Sequence, residues 1–227
     1  MTSELKAVFF DAGNTLLFPD RAGILAPLDR AKLASSLERW QEIERATKKR
    51  FDDVLEHGGL VDHGFWFLFY SQLLKGLGVQ DEALRDSLVE ATRISANWSQ
   101  IRPGTREVLQ RLGQDYALGV ISNADGEIAR VLERCGLADC FHSITDSGRV
   151  GSEKPNPAIF HAALASIGAD ARHSLYVGDF YSVDYLGATR AGMKAILFDV
   201  CGAYRDRNLP RVESLEQLEA ALFSGRI

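Results

Sequence analysis

Short apolar runs recur along the chain and alternate with longer stretches of helical periodicity. The runs are Ala7–Phe10, Ala117–Ser122, Ser174–Gly178 and residues 195–200. Each is only a few residues long and mostly apolar, which is typical of a strand buried on both faces of a parallel sheet. The chain therefore predicts a parallel sheet built from segments that are distant in sequence.

The segments between these runs favour helices. Residues 105–112 follow Pro103-Gly104, and residues 127–135 follow Asn123 and Asp125, which can cap a helix. Further helical segments lie at residues 157–167 and 183–191. This alternation predicts an α/β fold, with a three-layer Rossmann-like core in which helices cover both faces of a parallel sheet.

Residues 19–98 break the alternation. They contain no strand signal, and their helical patterns lie at residues 28–49, 51–56, 65–77 and 81–96, with Gly58-Gly59 among the separators. We therefore expect an all-helical cap domain, residues 19–98, inserted into a core formed by residues 1–18 and 99–227. The aromatic run at residues 65–70 is compatible with a ligand pocket, but packing of most of it inside the helical bundle is favoured.

The composition is that of an ordinary globular protein. Of the 227 residues, 46% are hydrophobic and 25% are charged, which is enough apolar material to bury a core. The net charge of −5 comes without a basic stripe, which argues against nucleic acid or an anionic membrane as a partner. No stretch approaches the ~18 uninterrupted apolar residues of a membrane span.

The cysteines and the N-terminal residues favour a reducing compartment. Cys135, Cys140 and Cys201 are odd in number and lack C-x-x-C spacing, so we expect free, at least partly buried thiols and no structural zinc. The first residues run into an apolar strand without the apolar segment of a signal peptide. We expect a cytoplasmic protein, and the sequence leaves its oligomeric state open.

Polar side chains follow the predicted strands at the end where open α/β sheets bind ligands. Asp11 follows the first strand, Ser122-Asn123 ends the second, and Asp179 and Asp184 follow the third. The aspartates would place like charges close together, which favours a cation among them. Oxygen ligands suit a hard ion, so we expect Mg²⁺ as the cofactor.

Lys154, before the helix at residues 157–167, adds a positive charge to this set. With Ser122, Asn123 and backbone N–H groups, it can hold the oxygens of a phosphoryl group. A carboxylate then offers a nucleophile, and the cations neutralise the charge that develops during the reaction. The pattern therefore predicts a small-molecule phosphorylated substrate.

These residues resemble the motifs of the haloacid-dehalogenase superfamily in order and spacing, over nearly the whole chain. Asp11-Ala12-Gly13-Asn14-Thr15-Leu16 stands where that family has D-x-D-x-T-L. Its later motifs are similar to Ser122-Asn123, Lys154-Pro155-x-Pro157 and Gly178-Asp179-x-x-x-x-Asp184, followed by Gly187-Ala188 and Ala191-Gly192-Met193. The helical block lies where subfamily I of that family carries its C1 cap.

The resemblance implies a nucleophile and a metal site. Asp11 would attack phosphorus and form an aspartyl-phosphate. Mg²⁺ would be held by Asp11, the backbone carbonyl of Gly13 and Asp179, with Asp184 either as a further ligand or as an acid that contacts the ligands.

The resemblance also implies a phosphate-binding group. Ser122 and Asn123 would bind the phosphoryl group, and Lys154 would balance the charge of the nucleophile and the phosphate. Thr15 would steady the loop after the strand, and we count it with Ser122 and Asn123 among the substrate-binding residues.

Gly13 departs from the family pattern. Family phosphatases have an aspartate here that protonates the leaving group, which glycine cannot do. The dehalogenase branch also lacks this aspartate, but it does without the Mg-binding fourth motif. The phosphonate-cleaving branch keeps Mg²⁺ with a small residue here and uses a cap lysine as its amine. Lys48 and Lys49 lie in the cap, where two adjacent helical lysines are usually solvated.

Three kinds of function stay open at this point. The first is Mg-dependent phosphate hydrolysis, restricted to good leaving groups because general acid catalysis typically supplies about 10²–10⁴-fold. The second is a dehalogenase or a phosphonate C–P hydrolase. The third is a non-enzymatic descendant that binds a phosphorylated ligand or a protein.

Overall fold

A parallel sheet forms the centre of the protein, for which a computed structural model describes residues 5–58 and 64–225. Its strands are Ala7–Phe10 (β1), Ala117–Ser122 (β2), Ser143–Asp146 (β3), Ser174–Gly178 (β4), Lys194–Phe198 (β5) and Arg211–Val212 (β6). They lie in the order β3-β2-β1-β4-β5-β6. The strand order reverses between β1 and β4, and open α/β sheets bind ligands at such a point, beyond the carboxyl ends of the strands.

Helices surround this sheet. In chain order they are Arg21–Arg30 (α1), Leu37–Glu56 (α2), Gly64–Gly76 (α3), Glu82–Arg93 (α4), Thr105–Leu112 (α5), Ile128–Arg134 (α6), Ser147–Val150 (α7), Pro157–Ser166 (α8), Leu186–Arg190 (α9) and Leu215–Phe223 (α10). In the described part of the chain, none has the length and apolar character needed to cross a membrane.

Both faces of the sheet are buried, because successive strand residues alternate between them. Val8 and Phe10 of β1 pack on one face against α5, α6 and α10. Ala7 and Phe9 pack on the other face against α8 and α9. The predicted three-layer α/β core is confirmed.

Helices α1–α4, which we call the helical insertion, form their own apolar cluster between β1 and β2. Each of the four contributes fully or nearly fully buried side chains, among them Ile24, Trp40, Phe69 and Leu88. In the aromatic run at residues 65–70, Phe65, Phe69 and Tyr70 are buried, and the other three pack against the same cluster. The expectation that most of this run packs inside the bundle is confirmed.

The first two helices differ from the sequence expectation of helices at residues 28–49 and 51–56. α1 begins and ends earlier, and α2 is a single unbroken helix. Lys32, with a φ of 55°, lies between them, and the Ser36 side chain caps α2 by accepting the N–H of Arg39 at 3.1 Å. The break that we predicted between residues 49 and 51 was wrong, because the only residue there, Arg50, is a good helix former.

The sequence patterns missed β3, β6 and α10. β3 mixes polar and apolar residues and β6 has two residues, so neither gives an apolar run. The helix predicted at residues 183–191 is instead a π-helical turn, Tyr181–Tyr185, that continues into α9.

Two further expectations concern the cysteines and the glycine pair at residues 58 and 59. Cys135 and Cys140 are half-buried and Cys201 is buried, and all three are free thiols as predicted. Gly58 adopts a φ of 74°, whereas its predicted companion Gly59 lies outside the described residues.

Candidate active site

The aspartates at the ends of β1 and β4 lie side by side. Phe10 pairs in register with Val177, and the Asp11 N–H donates to the Val177 carbonyl at 2.8 Å. The π-helical turn then brings Asp184 back towards the sheet, where a Cβ on Gly178 would lie 2.5 Å from the Asp184 Cγ. Glycine is therefore required for this close approach. Among the described residues, ligand oxygens of Asp11, Asp179 and Asp184 lie within 4.8 Å of one another.

Lys154 bridges two of these carboxylates. Its Nζ lies 2.6 Å from Asp11 Oδ1 and 2.8 Å from Asp184 Oδ1, and it donates to the Tyr176 hydroxyl at 2.8 Å. The lysine is 5% exposed, so its stem and head are both enclosed. The Asn123 side chain holds its backbone, accepting the Lys154 N–H at 2.8 Å and donating to the Lys154 carbonyl at 3.0 Å.

A second lysine enters the site from the helical insertion, contrary to expectation. Lys48 of α2 is 2% exposed, and its Nζ lies 2.6 Å from Asp179 Oδ2 and 3.1 Å from the Asp179 carbonyl oxygen. Lys49 is half-exposed and pairs with the exposed Asp206. Of the two lysines, only Lys49 is therefore solvated as predicted. The sequence shows Glu44, Lys48 and Asp52 at the spacing of one helix face, but this spacing does not indicate that Lys48 reaches Asp179.

Burial dominates the electrostatics of the cluster. It raises the pKa of Asp11 to about 7, with further increases from the Asp184 and Asp179 carboxylates and an opposing effect from Lys154. Burial likewise raises the pKa of Asp179, although Lys48 opposes it. For Lys48, burial acts to lower the pKa, but the carboxylates around it, chiefly Asp179, raise it well above its usual value.

The cluster fits a hard divalent cation. Its converging oxygen donors are buried, and their mutual repulsion contributes to the raised pKa of Asp11. A cation placed among them would relieve that repulsion and complement an all-oxygen donor set.

The predicted phosphate-binding residues are only partly brought together. Ser122 and Asn123 line the same cavity as Asp11, whereas Thr15 does not. Thr15 is 1% exposed, and its hydroxyl finds no hydrogen-bond partner among the described residues. The structure therefore places Thr15 inside the fold and outside the cavity lining, and its role in steadying the loop stays a prediction.

Gly13 also lines the cavity, below the ring of Trp98. Its φ is not in the left-handed region, and a Cβ built on it would lie 3.5 Å from the nearest Trp98 ring carbon, an ordinary contact distance. The neighbouring Asn14, with a φ of 54°, takes the strained position instead, and its Nδ2 donates to Asp179 Oδ2 at 3.2 Å. The backbone angle at residue 13 therefore does not require glycine.

The cavity above Asp11 has a volume of about 760 Å³ and lies between the sheet and the helical insertion. Its floor is polar and carries the aspartates and Lys154. Its walls are largely aromatic, formed by Phe51, Phe65, Trp66, Trp98 and Phe180.

Comparisons with known proteins agree with this geometry. The family model of the haloacid dehalogenase-like hydrolases matches residues 5–192. A relative named glyceraldehyde 3-phosphate phosphatase, from Methanothermobacter thermautotrophicus, is 33% identical over 201 residues, 85% of each chain. The chain therefore belongs to the haloacid dehalogenase-like hydrolases.

Solved structures extend the likeness over nearly the whole chain. The HAD-hydrolase YfnB from Bacillus subtilis, bound to magnesium, gives a TM-score of 0.71 at 19% identity and covers 96% of this chain and 99% of its own. A 2-haloacid dehalogenase from Pseudomonas syringae pv. tomato DC3000 gives 0.60 at 27% identity, covering 98% and 100%. The fold is thus shared by family members whose names describe different reactions.

Proposed function

We propose that the protein hydrolyses small phosphate monoesters, with Asp11 as the nucleophile and Mg²⁺ as the cofactor. The observation that carries this proposal is the buried cluster in which Lys154 pairs with Asp11 and Asp184 at the base of a cavity. The name of the Methanothermobacter relative, a phosphatase of a small phosphorylated aldehyde, supports the same reaction class. The helical insertion would act as a cap, residues 19–98, over a core of residues 1–18 and 99–227.

The residues of the chain would divide the reaction into two displacements. In the first, an Asp11 carboxylate oxygen bonds to phosphorus while the bond from phosphorus to the ester oxygen breaks, which leaves an aspartyl-phosphate and an alkoxide or phenoxide. In the second, water attacks that phosphorus, which restores Asp11 and releases inorganic phosphate. Lys154, 2.6 Å from Asp11 Oδ1, would orient the nucleophile and balance its charge.

Other residues would position the phosphoryl group. Ser122 ends β2 beside the nucleophile and would donate to a phosphoryl oxygen. Asn123 would act mainly through Lys154, whose backbone it holds on both sides. Mg²⁺ held by Asp11, the Gly13 carbonyl, Asp179 and Asp184 would supply positive charge to the phosphoryl oxygens.

The test is an assay of phosphate release from a panel of phosphate monoesters, with Mg²⁺ and with a chelator. We expect activity that disappears on chelation, and a loss of at least about 10³-fold in kcat for Asp11→Asn. Asp206→Asn is the matched control, because Asp206 is exposed and pairs with Lys49 far from the nucleophile. Full activity in the Asp11 variant would refute covalent catalysis, and full activity with chelator would refute the metal requirement.

One observation favours a second candidate, cleavage of a carbon–phosphorus bond. An amine from the helical insertion, Lys48, lies in the site, as that chemistry requires. Its raised pKa keeps it protonated and therefore non-nucleophilic, which is why we prefer the phosphate ester. Phosphate release from a carbonyl phosphonate, with reductive trapping of the substrate on Lys48, would favour the second candidate.

A further inference from the structure

The cavity above the nucleophile is built for a flat apolar group. Phe65 and Trp66 enter it from α3 and Phe51 from α2, while Trp98 lies between α4 and α5 at the end of the proposed cap and Phe180 follows β4 in the core. These rings contact one another across the boundary between insertion and core. Ring centroids are 4.7 Å apart for Phe65 and Phe180, and 5.7 Å apart for Trp66 and Trp98.

Thr92 and Ser95, two of the polar side chains that line the cavity, are already hydrogen-bonded within the protein, and the charged Arg93 and Glu153 of the lining are exposed. The Thr92 hydroxyl contacts the Tyr70 hydroxyl at 2.5 Å and donates to the Leu88 carbonyl at 2.9 Å. Ser95 donates its backbone N–H to Asp125 at 3.1 Å, and its hydroxyl donates to the same carboxylate. A substrate rich in hydroxyls would compete with these bonds, whereas an apolar ring would not.

The position of Trp98 points to the part of the substrate that occupies this space. Its ring lies over Gly13, the position where family phosphatases have their general acid. The ring is held by its Nε1, which donates to the Thr92 carbonyl at 2.7 Å. A leaving group whose oxygen lay next to residue 13 would therefore meet the face of an indole and no proton donor.

We propose that the substrates are phosphate esters whose leaving group carries an aromatic ring, held against Trp66, Trp98 and Phe180 while Asp11 attacks phosphorus. The inference rests on the proposed phosphohydrolase function and narrows its substrate class. Aromatic contacts add to simple area burial, so a ring should be preferred over a saturated group of the same size. Phenolic leaving groups also depart as stabilised anions, which suits a site without an acid at residue 13.

The experiment separates aromatic contact from leaving-group chemistry. Benzyl phosphate, cyclohexylmethyl phosphate and glycerol 1-phosphate are all esters of alcohols, and the first two differ mainly in aromaticity. We expect kcat/KM for the benzyl ester to exceed that of the cyclohexylmethyl ester by about 3- to 10-fold, and that of the glycerol ester by more. Equal values, or a preference for the glycerol ester, would overturn the inference.

Variants of the aromatic wall provide the residue-level control. Trp66→Leu should remove most of the benzyl preference, and Trp66→Phe should keep it. Phe67→Leu is the matched control, since Phe67 follows Trp66 on α3 but does not line the cavity and lies under the Arg85 guanidinium. Phe180→Leu serves as a second wall variant should Trp66→Leu fail to fold. A preference unchanged in every folded wall variant would overturn the assignment of these rings.

Binding of non-hydrolysable phosphonates distinguishes failure of this inference from failure of the proposed function. Calorimetry should give a lower Kd for benzylphosphonate than for cyclohexylmethylphosphonate or inorganic phosphate, with Mg²⁺ present. Hydrolysis of all three esters without aromatic preference would support the proposed phosphatase function and refute the proposed aromatic substrate class. Tighter binding of benzylphosphonate without hydrolysis of any ester would support the aromatic binding site and refute the proposed phosphatase function.

Discussion

Replacing Asp11 by asparagine should make the protein inactive and, above neutral pH, more stable. Asp11 is 8% exposed and shares its surroundings with Asp179 and Asp184, while Lys48 and Lys154 supply the compensating charges. With the aspartates ionised, these five groups leave one uncompensated negative charge in a buried space. Asparagine preserves the shape of the side chain and removes that charge.

The magnitude follows from the pKa of Asp11. Burial raises it from 3.8 to about 7, so the folded protein binds this proton more tightly than the unfolded chain does. The contribution of Asp11 to the stability of the wild type therefore falls as pH rises between those values, by about 4 kcal/mol at 1.36 kcal/mol per unit. Lys154 loses a charged partner in the variant but keeps Asp184 at 2.8 Å, so we expect a net gain of about 1–3 kcal/mol above pH 7.

The assay is denaturant unfolding of the wild type and Asp11→Asn between pH 4 and 8.5, with chelator present. The two curves should approach each other near pH 4, where Asp11 is protonated in the folded protein and begins to be protonated in the unfolded chain, and should separate as pH rises. Adding Mg²⁺ should narrow the gap, because a cation stabilises the ionised wild-type site. A variant that is less stable at pH 8, or a difference that is independent of pH, would refute this account of the cluster.

Three further variants test other parts of the site. Lys48→Met should lower turnover and tighten Mg²⁺ binding by about 10-fold in calorimetry, because Lys48 competes for Asp179 Oδ2 at 2.6 Å; unchanged affinity would contradict this competition. Gly13→Asp should fold normally and raise kcat/KM for alkyl phosphates by up to about 10²-fold, with little change for aryl ones; an unchanged alkyl-to-aryl ratio in a folded variant would mean that another group donates the proton. Asp52 accepts hydrogen bonds from the Ser182 N–H at 3.0 Å and the Tyr204 hydroxyl at 2.8 Å. Asp52→Asn should therefore lower the free energy of unfolding by about 1–3 kcal/mol and shift the X-ray scattering profile towards an open insertion. A scattering profile that matches the wild type would argue against a cap held by this contact.

The sequence predicted the parts of the fold that have a local signal. β1, β2 and β4 are mostly apolar runs in the centre of the sheet and were located with the correct bounds. β3 and β6 lie at its edges, where burial is one-sided or brief, so their residues carry no comparable pattern.

Residues of the candidate site could also be predicted only where the sequence carries a local signal. The cluster of Asp11, Asp179 and Asp184 could be predicted, because parallel strands necessarily bring their carboxyl ends to one edge. Lys48 could not, because its place depends on how α2 docks on the core. Its contact with Asp179 spans 131 residues of sequence and belongs to no strand register.

Docking of α2 also connects the position of the helical insertion to the charge of the site. Four side chains at helical spacing on α2 reach the core through polar contacts: Arg45 to the Cys201 carbonyl, Lys48 to Asp179, Asp52 to Tyr204, and Glu56 to Arg207. Water can replace such partners at lower cost than it can replace an apolar contact such as that of Phe65 with Phe180, so this polar part of the interface suits a body that opens. Opening would withdraw the Lys48 charge from Asp179, and a cation at Asp179 would in turn weaken the Lys48 contact. Because such a coupling is reciprocal, we expect Mg²⁺ affinity and insertion position to change together, by the same free energy in each direction.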